Sequence, residues 1–190
     1  MHGTQALVAF LAGLVLLYPA SPVFAQRQRT LDSLLAFGQT SVAAGDVENA
    51  RACFTSVLER FGENASARVG LGKTYMLERA WRPARDEFEK ALRNQPESIE
   101  ADYCDAICYR EMGVARVMGM QTVNARKARM HFLRVLDIDS SFEDVLYQFA
   151  LCEERSDEFD HAISLCEAEV RLHPDLVEPH LGLLLPVFHR

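Results

Sequence analysis

The side chains best equipped for chemistry in this chain are five cysteines, Cys53, Cys104, Cys108, Cys152 and Cys166. A thiolate can ligate zinc, exchange disulfides or attack an electrophile. Cys104 and Cys108 lie one helical turn apart, so they could share a ligand. That spacing disfavours a direct disulfide, and no histidine lies close in sequence to complete a zinc site. An odd number of thiols in an exported chain cannot be a fully paired framework. His161, His173, His180 and His189 are scattered, without the His-Glu-x-x-His spacing that puts two ligands on one helix face. Gly70-Leu71-Gly72-Lys73 echoes a phosphate loop but lacks the preceding strand and the spacing. Glu153-Glu154 and Asp157-Glu158 flank a helix–helix turn and read as a solvated face, with no partner to make them acid and base. Asn64-Ala65-Ser66 fits a glycosylation acceptor, relevant only in a eukaryotic secretory pathway. These residues imply no catalytic group, metal, cofactor or small-molecule substrate, so the expectation is a protein that is not an enzyme.

Charge offers a second kind of chemistry. The chain has a formal charge of −7, which argues against a general nucleic-acid binder, since displacing counterions from phosphate needs cations. Between Met112 and Leu136, however, Arg116, Arg126, Lys127, Arg129 and Arg134 occur with no acidic residue, alongside Met112, Met118, Met120 and Met130. One reading is a docking patch for an acidic partner or anionic lipid, carried by Arg116, Arg126, Lys127 and Arg129. The other is an extended helix and longer turn whose cations are solvated or pair with neighbouring Asp and Glu.

The elements that position these groups follow from a repeat. Gly38, Gly72 and Ala106 are 34 residues apart, as are Ala50 and Ala84, Phe54 and Phe88, and Tyr75 and Tyr109. Ala128 and Ala162 share the interval, as do Ser140 and Pro174. Between the two sets the spacing is 44, from Ala84 to Ala128, Phe88 to Phe132, Ala106 to Ala150 and Pro96 to Ser140. A single insertion of ten residues, after Tyr109 and before Ala128, accounts for all four intervals. Each unit reads as two amphipathic helices joined by a short turn. Gly38, Gly72, Ala106 and Ala150 let the paired helices approach, and Ala50, Ala84, Ala128 and Ala162 do the same from the second helix. Leu58, Leu92, Leu136 and Val170 supply an apolar stripe at the end of each second helix. Gly45-Asp46 and Gly113 signal turns, while Pro96 and Pro174 stop helices. Cys108 and Cys152 follow the small residues by two, and Cys166 takes the slot of Phe54, Phe88 and Phe132, which makes these thiols core-filling.

Leu71-Gly72, Tyr75, Ala84, Phe88, Ala91 and Pro96 together resemble the tetratricopeptide repeat. The resemblance extends from Leu31 to about Leu176. Leu34, Arg68, Asp102 and Leu146 depart from it where an aromatic is usual, and Gly62 and Ser140 replace the terminal proline. It implies an all-α fold: a right-handed superhelical solenoid of stacked antiparallel helix pairs, with repeats at 31–64, 65–98, 99–142 (holding the insertion) and 143–176. It also implies a concave groove lined by the first helix of each unit. By register the lining is Leu35, Gln39 and Val42, then Val69, Lys73 and Met76, then Tyr103, Ile107 and Arg110, and finally Tyr147, Leu151 and Glu154. Such a mixed apolar surface suits an extended peptide or a partner helix. The carboxylate-clamp subfamily is set aside: Leu35, Gln39, Gly70, Glu100 and Cys104 stand at its clamp positions and supply no positive charge.

The two ends carry expectations of their own. Ala6–Tyr18 is an apolar run, Pro19 and Pro22 break it, and Val23-Phe24-Ala25 places small residues three and one before Gln26. That pattern predicts a signal peptide over 1–25 cut after Ala25, a linker over 26–30, and export to the periplasm or outside, a bacterial envelope being the natural setting. An uncleaved anchor, which would put the protein near a membrane, is the alternative, although the run is shorter than the roughly 20 residues that span a bilayer. Val177–Arg190 reads as the start of a fifth repeat, too apolar for a terminal cap, so a longer protein is expected. Residues Ser140–Phe149 and His173–Pro179 resemble the repeat region of exported bacterial proteins with a GWxTD domain. The sequence therefore points to an exported scaffold that captures a protein or peptide. The alternative is the N-terminal docking domain of a longer exported enzyme or envelope-assembly protein.

Overall fold

The computed structural model describes residues 22–113, 120–156 and 158–172. They form helices α1 (Pro22–Ala43), α2 (Val47–Phe61), α3 (Ala65–Leu77), α4 (Trp81–Asn94), α5 (Ile99–Met112), α6 (Met120–Ile138), α7 (Val145–Glu154) and α8 (Phe159–Leu172), with no strand among the described residues. Each helix packs on the next in the chain. The odd-numbered helices also touch one another in sequence, α1 with α3, α3 with α5 and α5 with α7. Four antiparallel hairpins stacked with their first helices side by side make an all-α solenoid.

Local signals set the helix ends. Asp46 caps α2 by accepting from the Asn49 amide at 3.1 Å, and Asn64 caps α3 through Ala67 at 2.9 Å. Gly45 and Gly62 adopt φ of 73° and 84°, which only glycine holds without strain. Arg79 stands 34 residues after Gly45 and shares its left-handed backbone, with φ of 57°. Arg79→Gly is therefore expected to raise stability by about 0.5–1 kcal/mol, the roughly 1–2 kcal/mol cost of a Cβ in that conformation less the extra freedom that glycine gives the unfolded chain. A urea melt of the variant with an unchanged or lower midpoint would refute this.

The aromatic-on-small pattern is the core. Phe54, Phe88 and Phe132 are fully buried, as are Ala50, Ala84 and Ala128. A Cβ added at Gly38 or Gly70 would come within 2.7 or 2.2 Å of the Phe54 ring, and one at Gly72 within 2.6 Å of Phe88. All five cysteines are buried and free. Burial pushes the thiols up, Cys104 to about 12 and Cys152 and Cys166 to about 11.

Two local expectations need correction. The apolar stripe ends one residue earlier than expected: Val57, Ala91 and Val135 are fully buried, Leu58, Leu92 and Leu136 are only partly so, and Val170 is 38 % exposed. Position 57 lies seven residues from Ala50 and three from Phe54, which puts it, not 58, on their face. Residues 26–30 are helical and not a linker, because Pro22 suits a first helical turn and no proline or glycine follows until Gly38. The insertion lengthens a helix, in line with one of the two readings of the basic segment: the register of Trp81 falls on Ala125, whereas α6 starts at Met120.

Candidate functional site

On the surface made by α1, α3, α5 and α7, polar bonds tie α3 to α5 and α5 to α7. Lys73 on α3 pairs with Glu100 on α5 at 2.6 Å. Tyr103 on α5 donates its hydroxyl to Asp144, just ahead of α7. Arg110 donates to the Gln148 side chain of α7, and Gln148 in turn donates to Asp144 at 2.7 Å. Arg110 and Arg155 both reach Glu111, at 2.9 and 3.0 Å. Burial, then the bond to Asp144, pushes the Tyr103 phenol far above its ordinary range, so it remains a donor. Burial opposes the Lys73 ammonium, but its bond to Glu100 and the surrounding charges outweigh this and raise its pKa.

The structure sorts the twelve residues assigned to the groove. Val69, Tyr103, Tyr147 and Arg110 are buried, at 4, 6, 6 and 9 % exposure, and serve mainly to join the helices. Leu35, Val42, Met76, Ile107 and Leu151 are half-buried and present apolar surface, Lys73 and Glu154 are also intermediate, and Gln39 is exposed. The sequence reading did not single out Asp144, Gln148, Glu111 and Arg155 as partners, and it used Glu100 only to set aside the clamp. A signal was available: Glu100 and Asp144 each stand three residues before a groove tyrosine and so share its helix face.

The basic segment divides differently. Arg116 lies outside the described residues. Arg126 is exposed. Lys127 donates to the Tyr109 hydroxyl at 3.0 Å and lies 4.8 Å from that ring's centre. Arg129 forks onto Glu153 of α7, with contacts of 3.0 and 2.5 Å. Arg134 reaches Asp102 at 3.0 Å and the Pro96 carbonyl at 2.8 Å. Arg129 and Arg134 thus neutralise carboxylates inside the protein. Glu153, expected to be solvated, is 1 % exposed and also meets His161 Nδ1 at 2.8 Å.

Arg129 belongs to a series. Arg51 lies 5.2 Å from the centre of the Tyr75 ring and Arg85 5.9 Å from that of Tyr109. The next members are Arg129 and Glu153, in the same register. An arginine on the second helix of one repeat thus covers the tyrosine position on the first helix of the next, and the last joint exchanges a cation–π contact for an ion pair.

Family comparison agrees with this geometry. A tetratricopeptide repeat model matches residues 41–103. Residues 41–103 carry tetratricopeptide repeats. No curated protein matches the chain. Among solved structures, it is similar to a thermophilic tetratricopeptide repeat protein of Thermus thermophilus, at 16 % identity over 82 % of each chain with a TM-score of 0.72. It is also similar to MamA, at 17 % identity over 78 % of this chain and 81 % of that one, TM-score 0.62. A third is a tetratricopeptide repeat protein from Parabacteroides merdae, at 19 % identity over 88 % of this chain and 60 % of that one, TM-score 0.64. At these identities the likeness is one of fold. A tetratricopeptide array offers a surface for protein contact and, among the described residues, no group of three His, Cys, Asp or Glu that could hold a metal. The sequence likeness to GWxTD proteins rests in part on residues 173–179, outside the described region.

Proposed function

We propose that this chain is an exported scaffold that captures a peptide or partner protein on the surface formed by α1, α3, α5 and α7. The observation that carries the reading is the division of labour on that surface. Lys73–Glu100, Tyr103–Asp144 and Arg110–Gln148 fix the helices relative to one another. The apolar side chains Leu35, Val42, Met76, Ile107 and Leu151 stay partly open between them. A rigid frame with accessible aliphatic groups binds without a large ordering cost. The apolar run before Pro19 and the small residues before Gln26 support export, to the periplasm or outside the cell. Arg126, exposed on α6, adds a place for an acidic segment of the partner.

The test is affinity capture from the exporting cell with the full chain as bait, beside a Met76→Asp, Ile107→Asp, Leu151→Asp variant of matched helicity. Central apolar contacts carry most of an interface's energy, so recovery of a specific partner should fall by at least about tenfold. Equal recovery by both baits would reject the groove.

A further inference from the structure

Three positions in the third repeat break the pattern of the others. Asp102 takes the register of Leu34, Arg68 and Leu146; Asp105 that of Phe37, Leu71 and Phe149; His131 that of Cys53, Glu87 and Leu165. In the second repeat the first and third of these positions form an ion pair, Arg68–Glu87, at 2.8 Å. In the fourth they are two buried leucines. In the third, Asp102 and Asp105 are both 0 % exposed, and His131 is buried between them. Its Nδ1 lies 2.7 Å from Asp102 Oδ1 and its Nε2 3.4 Å from Asp105 Oδ2. Arg134 gives Asp102 a second contact, from a guanidinium at 3.0 Å, whereas neither oxygen of Asp105 has a hydrogen-bond partner.

A neutral imidazole carries one N–H. If that hydrogen points at Asp102, a bare nitrogen lone pair faces the other carboxylate. Attraction at both contacts needs one further proton, on the ring or on Asp105. We propose that this cluster is a proton-operated seam in the third repeat, on the helix that faces the second: with the extra proton, α5 is seated between α4 and α6, and loss of that proton loosens the seam. The charged and titratable groups around Asp105 come from three helices. Arg85 and Glu89 face it from α4, Asp102, Cys108 and Tyr109 lie on α5 itself, and Lys127, His131 and Arg134 belong to α6. Tyr109 stacks on His131 with ring centres 5.7 Å apart and donates to Glu89 at 2.8 Å. Burial, then that bond, holds its phenol above the ordinary range, so it is not the group that titrates.

Burial pushes the Asp105 carboxyl up to about 7, His131 and Arg85 only partly opposing this. The folded chain therefore holds the proton up to about pH 7, whereas an unfolded aspartate releases it near 3.8. Stability from this source is full below the lower value, falls as pH rises between the two, and stays lost above the upper one. The consequence is local because Asp105 sits on the helix packed between α4 of the second repeat and α6 of its own, and water drawn to an unpaired buried anion enters between α4, α5 and α6.

The buried thiols of α5 report on that opening. Alkylation of Cys104 and Cys108 in the full chain is followed by mass spectrometry for wild type and Asp105→Asn, with Cys53 of the first repeat as reference. Taking the ratio of wild type to variant at each pH removes the pH dependence of the thiols themselves. The ratio at Cys104 and Cys108 should rise about tenfold between about pH 6 and about pH 8.5, levelling off above about pH 7, while Cys53 stays level. Asp105→Leu, which restores the residue type of Leu71, should match Asp105→Asn and covers the case in which the asparagine variant fails to fold. A ratio that stays flat with pH overturns the proton-operated seam, and so does an equal rise at Cys53, which would mean global unfolding.

Discussion

Phe88→Ala should cost about 3–5 kcal/mol, the range for removing a fully buried phenylalanine from a core that cannot collapse around the space. Phe88 has no exposed surface, and its ring lies over Gly72, where even a Cβ would come within 2.6 Å. The hollow left behind would be bordered by Gly72 and by the small side chains of Ala84 and Ala91, none long enough to fill it. The cost should also spread. Phe88 closes the second hairpin, and in a solenoid each repeat is stabilised mainly by its neighbours, so a weak unit uncouples those on either side. Urea denaturation followed by helical circular dichroism checks both points: a lower midpoint and a broader or two-step transition. A loss under about 1.5 kcal/mol would mean that the ring is not held as described.

That seam was readable from the sequence because its cause is local and periodic. Small residues at 38 and 72 and aromatics at 54 and 88 recur at one interval, and the same pairing buries them. The hairpins, the all-α class and the helices of the binding surface follow from the same phase. The charged interior was not readable in this way. Asp102 showed only as a missing aromatic, and Glu153 as one of several turn carboxylates. Whether a carboxylate is buried depends on partners brought by another helix: Arg134 and His131 for Asp102, Arg129 and His161 for Glu153. A reading of single positions does not see such pairs. The spacing of Arg51, Arg85 and Arg129 did hold the clue, since it follows the same 34 and 44 intervals as the core. That places Arg129 in the joint between repeats, whereas Arg126, Lys127 and Arg134 are the exposed members of the basic stretch among the described residues. Likewise, register put Tyr103 and Arg110 on the binding surface, but their burial comes from Asp144 and Gln148, which belong to the next repeat.

The same reasoning makes Arg129→Ala the second large effect, with an expected cost of about 2–3 kcal/mol. Glu153 is 1 % exposed, so removing Arg129 strands a carboxylate that keeps only His161 at 2.8 Å. Stranding one partner of a fully buried pair costs about 3–5 kcal/mol. The figure here is lower because Arg129 is 42 % exposed and water can partly replace it. The register supplies the control. Glu153 stands where Tyr75 and Tyr109 stand, each covered by the arginine equivalent to Arg129. Glu153→Tyr should therefore be accepted in the joint and leave Arg129 with a cation–π contact, worth about 0.5–1 kcal/mol at a partly exposed site. In that background Arg129→Ala should cost only this smaller amount. The double-mutant cycle, read from urea midpoints at constant pH, should then give a coupling of about 1.5–2 kcal/mol between the two positions. A coupling below about 0.5 kcal/mol would mean that Arg129 supports the joint through its aliphatic stem and not by answering a buried charge.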